Sequence, residues 1–96
     1  MNVTLLYFEG CPNWKVADER LSALSGEFDL VVQRRLIETP EEAEAVGFRG
    51  SPTILVEGRD PFVAGDEPAG LACRIYQTPE GPQGAPTAQQ LRAALL

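Results

Sequence analysis

Cys11 is the residue best placed for chemistry in this sequence. It stands in the run Val3-Thr-Leu-Leu-Tyr-Phe-Glu-Gly-Cys-Pro-Asn-Trp14, where an apolar strand (Val3 to Phe8) meets a turn at Glu9-Gly10. Pro12 suits the first position of a helix, because its fixed φ is already helical and its missing N–H costs nothing there. A sulfur at that junction faces unpaired backbone N–H groups and the positive end of a helix macrodipole. Both favour the thiolate, which is the nucleophile and the soft-metal ligand. Glu9 opposes this, and Lys15 offsets Glu9 if it folds back over the first turn. The competing reading is a buried cysteine serving as a small apolar residue.

Cys73 is the candidate resolving cysteine. It lies in Leu71-Ala-Cys-Arg-Ile-Tyr76, a strand-like island. If that island is a plain antiparallel partner of residues 53–56, Cys73 begins at the end remote from Pro52 and is a buried structural cysteine. The two sulfurs meet only if the 59–71 loop folds back far enough to bring the Cβ atoms to the ~3.8 Å that a disulfide needs. Trp14 either lines a ligand surface or packs on the neighbouring loop. Tyr7 and Phe8 alternate along the first strand, and both are expected in the core. Arg34, Arg35 and Arg49 could bind the carboxylates of a ligand, although solvated or ion-paired arginines are the commoner case. Asp60, Asp66 and Glu67 match no calcium-loop spacing and read as solvent-facing charge.

The elements that must position these groups follow from periodicity. Trp14, Val16, Ala17, Leu21 and Leu24 form the stripe of a first helix, ended by Ser25-Gly26 with Gly26 as a left-handed cap. Phe28 to Ile37 is a second strand, and its Leu30-Val31-Val32 suggests burial on both faces. Thr39-Pro40-Glu41-Glu42 is a helix start with an N-cap threonine, a first-turn proline and a capping-box carboxylate. That helix ends near Val46-Gly47. Thr53 to Val56 is a third strand, closed by Glu57-Gly58. Residues 58–86 hold five of the nine glycines and five of the eight prolines, so they read as a long loop region with one short strand. Thr87-Ala-Gln-Gln90 opens a terminal helix with Leu91, Leu95 and Leu96 on its apolar face.

The whole is expected to be one α/β domain, residues 1–96. Its order is β-α-β-α-β-β-α, with a central mixed sheet of about four strands and three helices. Composition narrows the function. Fourteen acidic against eight basic residues, with no basic run, repel polyanions, which argues against nucleic acid or an anionic membrane surface as partner. No apolar run is long enough to span a bilayer and no signal-peptide pattern opens the chain, so a cytoplasmic, reducing location is the expectation. Cysteines there are free or catalytic more often than structural. With no histidine, two cysteines fall short of a structural zinc site.

Tyr7-Phe-Glu-Gly-Cys-Pro-Asn-Trp14, Gly50-Ser-Pro-Thr-Ile-Leu-Val56 and the closing helix from Thr87 to Leu96 together resemble the thioredoxin-like superfamily, in particular small bacterial thioredoxin- or glutaredoxin-like proteins. The likeness covers residues 2–57 and 87–96. It implies a cis peptide before Pro52, a Ser51 backbone that meets an extended peptide or glutathione, and a binding surface of Pro12, Trp14, Ser51 and Pro52 beside a catalytic Cys11. One departure matters: Trp14 stands where the family's usual Cys-x-x-Cys pair has its second cysteine. The resemblance therefore implies a monothiol thiol–disulfide oxidoreductase with no bound cofactor. A protein disulfide or glutathione would be its partner, and an outside thiol or a distant cysteine would release the mixed disulfide. The alternatives are a non-catalytic binding module on the same scaffold and, more remotely, mercury or organomercurial thiol chemistry, for which no carboxylate is well spaced as proton donor.

Overall fold

The structure, a computed structural model, describes residues 1–62 and 70–96, so Asp66 and Glu67 lie outside the described residues. The elements are β1 (Asn2–Tyr7), α1 (Trp14–Phe28), β2 (Val31–Leu36), α2 (Pro40–Val46), β3 (Thr53–Val56), β4 (Tyr76–Thr78), β5 (Gly81–Gln83) and α3 (Ala88–Leu95). β1 is the middle strand of a mixed sheet of order β2-β1-β3. It runs parallel to β2, with Asn2 opposite Val31 and Tyr7 opposite Leu36. It runs antiparallel to β3, with Leu5 opposite Ile54.

The period-2 alternation of β1 divides the core between the two faces of this sheet. Val3 and Leu5 bury on one face with Ile54, with Ala17, Leu21 and Leu24 of α1, and with Leu91 and Leu95 of α3. Leu6 turns to the other face and packs with Ile37, Phe48 and Ala43 of α2. Helices therefore cover both faces, and the sequence's α/β class holds.

Three expectations about the sheet need correction. Among the described residues it has three strands rather than about four. Leu71–Tyr76 is not a fourth strand: it makes a single bridge, Ser51 to Cys73. Strand geometry resumes at Tyr76, where β4 pairs with β5 in a separate two-stranded sheet. Gly81 and Pro82 mask β5 in the sequence, since both residue types are depleted in strands. β2 is not buried on both faces either. It is an edge strand, and Val31 is 54% exposed.

The helix ends also differ in detail. α1 runs through Gly26 to Phe28, and Asp29 takes the left-handed position (φ 57°), its N–H donating to the Ser25 carbonyl. Continuing the helix lets Phe28 pack against the α1–α3 core, which offsets the roughly 1 kcal/mol cost of a helical glycine. The caps of α2 and α3 agree with the sequence. Thr39 Oγ1 accepts from the Glu42 N–H, and Gly47 is left-handed. Thr87 and Gln90 complete a reciprocal capping box. Leu91 and Leu95 are buried, whereas Leu96 is exposed. Tyr7 and Phe8 are only partly buried. No helix is long and apolar enough to cross a membrane among the described residues.

Candidate functional site

Cys11 does not sit on a helix N-terminus. Its N–H donates to the Phe8 carbonyl (3.1 Å), and Lys15 N–H to the Pro12 carbonyl (3.1 Å), so a tight turn precedes α1. Asn13 is the N-cap residue, yet its side chain does not cap the helix. Its Nδ2 donates to Cys11 Sγ instead (3.7 Å). An amide dipole, rather than a row of helical N–H groups, is what the polypeptide offers this sulfur. Pro12 is exposed and lies in the turn rather than in the helix. Lys15 Nζ lies 5.9 Å from the centroid of the Trp14 ring.

Cys11 is fully buried, at 0% exposure, and is joined to Cys73 in a disulfide with Cα atoms 5.7 Å apart. Neither cysteine is free. Both expectations for Cys73 are thereby corrected: it is not remote from Cys11, and it is exposed rather than buried. The reason is that the chain does fold back, by a route the hairpin reading did not allow. Ala72-Cys73-Arg74 runs alongside Ser51 instead of pairing down β3.

Ser51 is the hub of this arrangement and is itself fully buried. Its N–H donates to the Ala72 carbonyl (2.7 Å), and its carbonyl accepts from the Arg74 N–H (3.1 Å). Its Oγ accepts from the Phe8 N–H (3.1 Å), tying the loop to the end of β1. Cys11 Sγ lies 3.8 Å from the Ser51 carbonyl oxygen. The Ser51–Pro52 peptide is cis, as the resemblance implied, and Pro52 is buried. Gly50 has φ 108°, and a Cβ there would stand 3.1 Å from the Arg74 Cα and N. Glycine is thus required both by conformation and by the close approach of the second segment.

A buried ion pair fixes that second segment. Arg74 Nη1 donates to Asp60 Oδ2 (2.6 Å), with the two side chains only 5% and 7% exposed. Arg74 Nη2 also donates to the Phe62 carbonyl (2.9 Å), and its guanidinium lies over the Tyr76 ring at 4.6 Å. Tyr76 in turn donates its hydroxyl to the Pro52 carbonyl. Asp60 is therefore a structural anchor and not solvent-facing charge. Asn13 and Asp60 are the residues that the sequence reading missed. Asn13 had a signal, being adjacent to the Cys-Pro step. Asp60 and Arg74 are fourteen positions apart and look like any two surface charges.

The remaining candidates are placed as follows. Trp14 is partly buried and packs on Tyr7, with ring centroids 4.3 Å apart, so it flanks the Cys11 turn. Arg34 pairs with Asp18 (2.7 Å) at the surface, the ion-paired use expected of it; Arg35 is exposed, and Arg49 is partly buried. Among the described residues no group of three or more Cys, Asp or Glu side chains is arranged to hold a metal ion. Chemically, the site is a disulfide whose two sulfurs differ in access, set against a buried serine backbone. Compared with known proteins, the chain matches no family model, no curated protein and no solved structure.

Proposed function

We propose that this chain is a thioredoxin-like thiol–disulfide oxidoreductase that works through the Cys11–Cys73 pair, with the Cys11 thiolate as a nucleophile of the exchange. The observation that carries this is the convergence of the Cys11 sulfur, the Ser51–Pro52 loop and a second cysteine at one point of the fold. A cysteine beside a sulfur-facing amide, with another thiol in bonding reach, has what thiol–disulfide exchange requires: a nucleophile, a leaving thiol and a fixed geometry. The outside sulfur comes from a protein disulfide or from glutathione. Trp14 in place of a neighbouring second cysteine leaves release of that sulfur to an outside thiol or to the other cysteine of the pair. The test is turnover of a glutathione mixed disulfide by the purified protein in a glutathione buffer. The double variant Cys11→Ser/Cys73→Ser is expected to lose at least tenfold in rate; equal rates for it and the wild type would sink the proposal.

A second reading draws on the sealing of Cys11 and on the occupation of the Ser51 backbone by the chain's own Ala72 and Arg74. These favour a non-catalytic thioredoxin-like binding module stapled by its disulfide. That module would show no turnover with either cysteine and would keep its partner after Cys11→Ser.

A further inference from the structure

We propose that Cys73, and not Cys11, is the sulfur that carries the partner, with Cys11 acting only from inside, on Cys73. The proposal rests on the thiol–disulfide reading above and assigns the two sulfurs their places in it. In exchange the entering thiolate approaches one sulfur in line with the bond it breaks, so that sulfur must be reachable from solvent. Cys11 has no exposed surface, whereas Cys73 belongs to the exposed residues. Of the two residues, Cys73 is the one that solvent reaches, which makes it the first target.

The inequality does not depend on the disulfide. The segment joined to Cys11 through Cys73 is also held by the two Ser51 backbone bonds and by the bonds of Arg74 to Asp60 and to the Phe62 carbonyl. Tyr76, two residues beyond Arg74, is tied to Pro52. None of these contacts runs through the S–S bond, so the same anchors are available to the dithiol. Cys73 is then the outward thiol in both oxidation states.

The steps balance as follows. A partner thiolate attacks Cys73 Sγ and forms a partner–Cys73 disulfide. The Cys11–Cys73 bond breaks, and its electron pair leaves on Cys11 as a thiolate, facing the Asn13 amide. A second thiolate of the partner attacks the partner sulfur of that mixed disulfide and expels Cys73 as a thiolate. The partner has lost two electrons and become a disulfide; the protein has gained them, and the two protons of the partner's thiols end on Cys11 and Cys73. In reverse, the Cys73 thiolate opens a partner disulfide, and the Cys11 thiolate attacks Cys73 Sγ to release the partner as a thiol.

The experiment uses the full chain. Cys11→Ser, which keeps Cys73, and Cys73→Ser, which keeps Cys11, are incubated with oxidised glutathione at neutral pH, and the glutathionylated fraction is followed by intact mass. The variant keeping Cys73 is expected to react at least tenfold faster. In parallel, wild-type protein is reduced and pulsed with limiting iodoacetamide, which reads the order of access without any substitution: Cys73 is expected to be alkylated first. Equal or faster reaction at Cys11 in either measurement overturns the assignment while leaving exchange through this pair standing. No glutathionylation of either variant overturns both the assignment and the oxidoreductase proposal.

Discussion

The two halves of the site are held in different ways. The Cys11 half, residues 8–14, is a continuation of its own local chain. β1 ends, the Phe8 carbonyl takes the Cys11 N–H, the Pro12 and Asn13 carbonyls start the next turn, and Asn13 reaches back two residues to the sulfur. The Cys73 half has almost no local structure. Residues 71–75 lie in neither a helix nor a strand of more than one bridge. They are fixed by residues 12 to 24 positions away: Ser51, Asp60, Phe62 and, through Tyr76, Pro52. One half is built by neighbours in sequence, the other by a buried charge pair and a borrowed backbone edge. Disturbing the second should cost more and should change the access to Cys11 more.

The largest effect expected is from cutting the bond between the halves. The disulfide spans a sequence separation of 62, and loop-closure entropy assigns a cross-link of that length about 4 kcal/mol. Reduction of the wild-type protein should lower its unfolding free energy by close to that amount in a urea titration. A loss well under ~1 kcal/mol would mean that the reduced unfolded chain keeps residual structure that already holds the two segments near each other.

Next in size is the charge pair. Asp60→Asn keeps an acceptor for the Phe62 N–H, which Asp60 Oδ1 accepts at 2.9 Å, but removes the negative charge that faces the buried Arg74 guanidinium. Breaking one side of a buried pair costs about 3 kcal/mol or more. Asp18→Asn removes the partner of Arg34, whose side chain is 45% exposed; an exposed pair of that kind contributes under about 1 kcal/mol. Denaturation of the two variants side by side measures the difference. Alkylation of Cys11 in the reduced proteins should accelerate only in Asp60→Asn, because only there is the cover loosened. Similar losses in both variants would mean that Asp60 is no more an anchor than a surface carboxylate.

The same asymmetry explains what could be read from the residues alone. The β-α-β-α-β run, the Thr39 and Thr87 caps and the β3 boundaries were legible because each is set by residues within a few positions of one another. The Cys11 turn was half legible: Cys-Pro announced a junction, but Asn13 bonding the sulfur rather than capping α1 moved the helix start to Trp14. The Cys73 half was not legible. Its register against Ser51 depends on Asp60 meeting Arg74 across a loop, and no local pattern distinguishes that pair from solvated charges. β5 was hidden for another reason. Both strands of a two-stranded ribbon are edges, which tolerate Gly81 and Pro82 where a central strand would not.

The comparison is sharpest at two glycines, one within the Cys11 half and one packed against the Cys73 half. A Cβ at Gly50 would stand 2.9 Å from the Arg74 Cβ and 3.1 Å from its backbone, at a residue with φ 108°. Gly50→Ala should therefore cost about 2 kcal/mol from backbone strain and the displaced segment together, and should expose Cys11 to alkylation. A Cβ at Gly10 would stand 2.6 Å from the far end of the Phe8 ring, which looks like the tighter clash. That ring is only partly buried and can swing about χ1 into another rotamer, and such side-chain adjustments cost on the order of 1 kcal/mol or less. Part of that cost is returned, because alanine restricts the unfolded chain more than glycine does. Gly10→Ala should thus change stability by only about 0.5 kcal/mol, with Cys11 alkylation unaltered, although it lies one residue from Cys11 and Gly50 lies thirty-nine away. If Gly10→Ala opened Cys11 as far as Gly50→Ala does, the cover over the sulfur would belong to the local turn and not to the distant segment.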